Sequence, residues 1–214
     1  VTDLLSCPRR RAGLAEGWPV DITRMEARLT GTITHQALAE VDPETAEIGV
    51  AGLLFGHEVE GSIDRIERRE EGLFTCDYKA GECRGAGRQL PDAPYAEEVW
   101  QQEAYRYLLG TAQLYDMTEP PVYDTVGWRI YYRWARAWYV YQHVGPIWTE
   151  AELASFRPHG GAFTTRELAG QCCGGIAPAS LPLVGATQKI GKGTACEYCE
   201  VKVACDAAGF EIEL

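Results

Sequence analysis

Residues 58–79 read E-V-E-G-S-I-D-R-I-E-R-R-E-E-G-L-F-T-C-D-Y-K. Apolar and polar residues alternate over 58–66, a period of two that predicts a strand, and the Glu-Glu-Gly at 70–72 predicts a turn into a second strand over 73–79. The stretch is therefore a hairpin carrying Asp64 on one arm and Asp77 and Lys79 on the other. Asp77 and Lys79 are two residues apart, so they share a face. Two carboxylates from neighbouring strands can hold a hard divalent cation such as Mg²⁺ or Mn²⁺, and a lysine on the same face can reach a metal-bound water or a phosphate. Phosphodiester cleavage needs those parts.

Working outward, residues 24–41 place Met25, Leu29, Ile33, Ala37 and Leu38 at helical spacing, and His35 in G-T-I-T-H offers an imidazole to the same cation. Residues 81–94, rich in Gly, Pro and charge, read as a loop. A helix follows over 96–114, with Gln101 and Tyr105 at i and i+4 on one face. Residues 125–133 and 137–144 are aromatic, β-prone and joined as a second hairpin. A short helix over 149–156 opens with Thr149 as N-cap and Glu152 in the capping-box position. After Gly170 the pattern is irregular. This order predicts an α/β (α+β) domain with a mixed central sheet flanked by helices.

Four of the eight cysteines form a pattern: Cys196, Cys199 and Cys205 in C-x2-C-x5-C, with Cys7 available from the other end of the chain. Four thiolates spaced this way suit a structural zinc or an iron-sulfur cluster, and spacing alone separates neither from the other. Cys76 falls in an apolar strand and reads as a core residue. Cys83 fits no ligand pattern, and Cys172 and Cys173, among glycines, read as loop residues with a secondary claim as a ligand pair. With no apolar run of about 20 residues and no leader pattern over 1–20, the expectation is a cytoplasmic protein that does not enter a membrane. The net charge of −11 weighs against a broad nucleic-acid surface, although Arg9, Arg10 and Arg11, and Arg129, Arg133 and Arg136, form local basic clusters.

Taken in order, Cys7, G-T-I-T-H, G-S-I-D, D-Y-K, Q-Q-E-A-Y and C-x2-C-x5-C resemble the PD-(D/E)XK nucleases of the RecB type, and most narrowly the CRISPR-associated RecB-like nucleases of spacer acquisition. The resemblance spans residues 7 to 205. It implies a single nuclease domain over 1–214, with a core over about 24–170 and an iron-sulfur clasp from 1–15 and 190–214. It implies a catalytic Mg²⁺ or Mn²⁺ on His35, Asp64, Asp77 and the Tyr78 carbonyl, with Lys79 beside the nucleophile and Gln101 and Tyr105 supporting the site. It also implies a [4Fe-4S] cluster on Cys7, Cys196, Cys199 and Cys205. The implied activity is metal-dependent trimming or cleavage of single-stranded DNA ends and overhangs, in company with the CRISPR integrase complex. A phage or DNA-repair exonuclease of the RecB/AddB kind is the alternative, and a catalytically idle iron-sulfur adaptor a third. Two departures stand out: Asp77 occupies a position where many relatives carry Glu, and Ser62-Ile63 replaces the signature proline before the first acid. The acidic chain further implies that a partner provides part of the DNA surface.

Overall fold

A computed structural model describes residues 5, 7–22, 32–33, 35–37, 40, 46–79, 90–111, 123–134, 137–172, 189–190, 193–194, 199 and 202–207. Their regular elements are helix α1 (Pro8–Ala15), strands β1 (Ala46–Leu54), β2 (His57–Arg69) and β3 (Gly72–Lys79), helix α2 (Ala96–Thr111), strands β4 (Thr125–Trp134) and β5 (Ala137–Val144), helices α3 (Glu150–Ser155) and α4 (Thr165–Cys172), the short strands β6 (Lys189–Ile190) and β7 (Gly193–Thr194), and helix α5 (Lys202–Ala207). Residues 32–33, 35–37 and 40 are also helical, consistent with the helix expected around His35. Much of the expected 24–41 helix, the 81–89 part of the loop, and Cys83, Cys173 and Cys196 lie outside the described residues. None of the described helices is long and apolar enough to cross a membrane.

The chain divides into two compact units, one of Val1 with Arg28–Ala154 and one of Thr2–Ala27 with Ser155–Leu214. The first contains a five-stranded sheet in the order β1-β2-β3-β4-β5, antiparallel except for the parallel pair β3 and β4. β1 joins β2 through the two-residue turn Phe55-Gly56, closed by Leu54 opposite His57. Both turn residues have positive φ, +58° and +81°, the geometry whose twist matches paired strands and which glycine adopts without strain. The parallel step from β3 to β4 requires a crossover, which α2 makes.

α2 packs on β1, β3 and β4. Its inward side buries Trp100, Ala104 and Leu108 completely, with Phe74, Ile63 and Ile130 equally buried on the strands. Each large apolar side chain so buried contributes about 1.5–3 kcal/mol. The Trp100 indole N–H donates to the Leu153 carbonyl at 2.9 Å, which fixes α3 to α2. Deeper, Arg106 Nη1 donates to both carboxylate oxygens of Glu103, and Glu103 also accepts from the Trp128 indole at 2.9 Å and from the Trp148 backbone N–H at 3.2 Å. Arg106 reaches the Thr125 and Gly145 carbonyls at 3.1 and 2.7 Å, so a satisfied buried ion pair sets the position of α2 along β4.

In the second unit α1 packs against α4 and α5. Cys7, the N-cap residue of α1, is buried with Leu168 of α4 against Phe163, and Cys205 is buried on α5. α1 and α4 did not stand out in the sequence; α4 is opened by a reciprocal capping box in which Thr164 and Glu167 exchange hydrogen bonds.

Candidate active site

The β2–β3 ladder runs from Arg69 opposite Gly72 to Arg65 opposite Cys76 and stops there. Beyond that point β2 pairs on with β1 alone and β3 with β4 alone, so among the described strands the sheet forks. Asp64 and Asp77 are the next residues on the two arms. Instead of a ladder bond, the Tyr78 N–H donates to Asp64 Oδ2 at 2.7 Å, holding the first acid against the backbone of the second arm.

His35 completes the cluster. Its Nε2 lies 2.7 Å from the Tyr78 carbonyl oxygen, to which it donates, and its Nδ1 lies 3.4 Å from Asp64 Oδ1. Asp77 is almost fully buried at 3 % exposure. Lys79 Nζ donates to Asp77 Oδ1 at 2.9 Å and sits 2.8 Å from Oδ2, but only the Oδ1 contact is aligned as a hydrogen bond, which leaves Oδ2 without one. One helical turn apart on α2, the Gln101 amide donates to the Tyr105 hydroxyl at 3.3 Å. The geometry thus brings His35, Asp64, Tyr78, Asp77 and Lys79 together and makes Gln101 and Tyr105 a bonded pair.

The electrostatics follow from burial. Loss of water pushes the Asp64 carboxyl up to about 7, with the Asp77 charge adding to it and with His35, the Tyr78 N–H and Lys79 opposing it. Burial favours loss of the Lys79 proton, but Asp77, Glu98 and Asp64 outweigh it and hold the ammonium above its ordinary value. Glu98, raised by its own burial and opposed by Lys79, also accepts hydrogen bonds from Tyr132 OH and from the Tyr95 N–H at the start of α2.

Two residues absent from the motif set stand here. Glu98 precedes Q-Q-E-A-Y by one turn, where an acid near a helix start reads as a dipole partner or solvent face. Glu47 lies on β1, within reach of His35 and Asp64: one ligand atom from each of the three falls within 4.8 Å of the others. β1 carries Gly49 and Gly52 among small residues, which weakens its strand signal; its hairpin relation to G-S-I-D was the clue that would have found it. Arg129 of the expected basic cluster, by contrast, is engaged internally. Arg129 donates to Glu67 Oε2 at 2.6 Å, alongside Arg69 and the Tyr131 hydroxyl.

A hard divalent cation fits His35, Glu47 and Asp64, whose ligand atoms among the described residues come within 4.8 Å of one another, with the Tyr78 carbonyl at His35; Asp77, whose buried Oδ2 lacks an aligned hydrogen bond, lies outside that group. Comparison with known proteins agrees with the geometry. The profile of the PD-(D/E)XK nuclease superfamily matches residues 3–206. The chain belongs to the PD-(D/E)XK nuclease superfamily. No curated protein matches it significantly. Among solved structures it is similar to that described as the crystal structure of SSO0001, with a TM-score of 0.56 and 17 % identity over 98 % of this chain and 86 % of that one. At that identity the likeness concerns the fold. As PD-(D/E)XK superfamily proteins are phosphodiester-cleaving nucleases that use Mg²⁺ or Mn²⁺, the chain is a nuclease by family.

Proposed function

We propose that the protein is a metal-dependent deoxyribonuclease acting on single-stranded DNA ends and overhangs during CRISPR spacer acquisition, and that Cys7, Cys196, Cys199 and Cys205 hold a [4Fe-4S] cluster. The observation that carries the nuclease reading is the fork between β2 and β3, where Asp64, Asp77, Lys79 and His35 converge. His35, Asp64 and Asp77, with the Tyr78 carbonyl, would hold a Mg²⁺ or Mn²⁺ ion, which acidifies a bound water and neutralises charge on the scissile phosphate. Lys79 serves as a cation beside that phosphate. Its carboxylate neighbours hold the ammonium above its ordinary value, so it is a cation suited to stabilising developing negative charge. Gln101 and Tyr105 position the DNA backbone near it.

The six ordered motifs support the assignment to spacer acquisition. Supporting the cluster are burial of Cys7 and Cys205 on α1 and α5, two helices that touch. The net charge of −11 favours a partner, the CRISPR integrase complex, as the source of part of the DNA-binding surface. Protein purified without oxygen is expected to be brown, to contain four irons per chain, and to degrade single-stranded and overhang DNA with Mn²⁺. Lys79→Ala and Asp64→Ala are expected to lower the rate at least about a hundredfold; wild-type rates in both would overturn the mechanism. A colourless active protein would remove the cluster alone.

A further inference from the structure

β1 and β2 pair at Ala46 opposite Arg65 and at Ile48 opposite Ile63, and the ladder steps over the pair between them, Glu47 and Asp64. On the other side of β2 the ladder with β3 ends one residue short of Asp64 and Asp77. Three carboxylates, Glu47, Asp64 and Asp77, therefore occupy one row across three neighbouring strands. Like charges placed side by side in a sheet repel unless something positive lies among them. Asp77 has Lys79. Beside Glu47 and Asp64 stands an imidazole, with His35 Nδ1 3.4 Å from Asp64 Oδ1, and a bound cation would supply the missing positive charge.

An exposed glutamate ordinarily turns to solvent. Glu47, though exposed, is tied back to β2, where the Ser62 hydroxyl donates to its Oε2 at 2.8 Å. Ser62 lies two residues before Asp64 on β2 and so presents its side chain on the same face. Glu47 Oε1 remains for a ligand. Ligand atoms of His35, Glu47 and Asp64 within 4.8 Å of one another suit one cation with oxygen ligands at about 2.0–2.6 Å.

We propose that Glu47 is a ligand of the catalytic cation, supplied by β1 from outside the nuclease motifs and held in place by Ser62. The inference rests on the reading of this site as a metal-dependent nuclease. Its effect is to give the cation a carboxylate on the side of Asp64 away from Asp77, so that both oxygens of the central acid face a ligand-bearing strand or His35.

Mn²⁺ binding to the full-length chain without DNA, followed by the electron paramagnetic resonance of free Mn²⁺, tests this directly. Glu47→Gln is expected to weaken binding at least about tenfold. Glu47→Asp keeps the charge and tolerates the positive φ of 52° at this position, yet its shorter side chain is expected to lose binding as well. The exposed Glu58→Gln, on β2 outside the row, controls for net charge and is expected to bind as wild type. Melting in chelator confirms that each variant is folded. If Asp64→Asn abolishes binding while both Glu47 variants bind within twofold of wild type, the Glu47 inference is overturned and the nuclease reading stands. If Asp64→Asn also binds as wild type, the metal reading itself fails.

Discussion

Asp64 is the residue at which the proposed metal chemistry and stability pull apart. Its carboxyl is raised from an ordinary 3.8 to about 7, so between those values the folded chain holds a proton that the unfolded chain has released. Stability therefore falls as pH rises through that window, and the full penalty is present above about 7. A shift of roughly three units, at 1.36 kcal/mol each, sets an upper bound of about 4 kcal/mol. Asp64→Asn is accordingly expected to be more stable than wild type at pH 8 in chelator and equal to it near pH 4, as read by urea unfolding. The triad Asp64, Asp77 and Lys79 was legible because a period of two fixes which side chains share a strand face. Glu47 and Glu98 were not, since an acid in a glycine-containing strand or a helix's first turn has an ordinary explanation that only three-dimensional neighbours displace.

Among the elements, the sequence marked the hairpins and α2 most clearly, because each combines a periodic apolar pattern with a turn or cap. β5 matches its expected bounds of 137–144, and β3 begins one residue earlier than expected. The Thr149 capping box is present as expected, with Thr149 and Glu152 bonded in both directions. Thr149→Ala is expected to lower stability by about 1 kcal/mol in thermal unfolding. β1 and α1 were missed for opposite reasons: β1 is diluted by glycine, and α1 is short and opened by Pro8, a residue that reads first as a break. A sharper demand falls on Gly127 of β4, where a Cβ would lie 1.9 Å from the His143 carbonyl oxygen on β5. Gly127→Ala must push the two strands apart and is expected to cost at least about 2 kcal/mol, measured as a shift in denaturation midpoint.

For the molecule as a whole, the polar centre is the Glu103–Arg106 pair, both residues fully buried. Glu103→Gln leaves Arg106 charged without its counterion and is expected to destabilise by about 3–5 kcal/mol in urea unfolding, far more than the loss of an exposed ion pair would. Such a loss would also shift α2 along β4 and with it Gln101 and Tyr105, so activity is expected to fall with stability. Neither residue was singled out from sequence: two charges three apart on a helix look like a surface pair, and only the enclosing Trp128, Thr125 and Gly145 reverse that reading.

The sheet's single parallel seam carries a kinetic consequence. β1, β2 and β3 connect through short turns and can form early, as can the β4–β5 hairpin, whereas the pair Leu73 with Thr125 must close across the whole α2 crossover. Non-local closure of this kind is slow because chain entropy is lost before contacts return it. β3 bears Asp77 and Lys79 on that seam, so the strand of the candidate site acquires its second neighbour last. In stopped-flow refolding, Ile130→Val at the seam is expected to give a low φ-value and Ile63→Val in the β1–β2 pair a higher one. During synthesis, then, the chain would hold folded hairpins well before the candidate site is assembled.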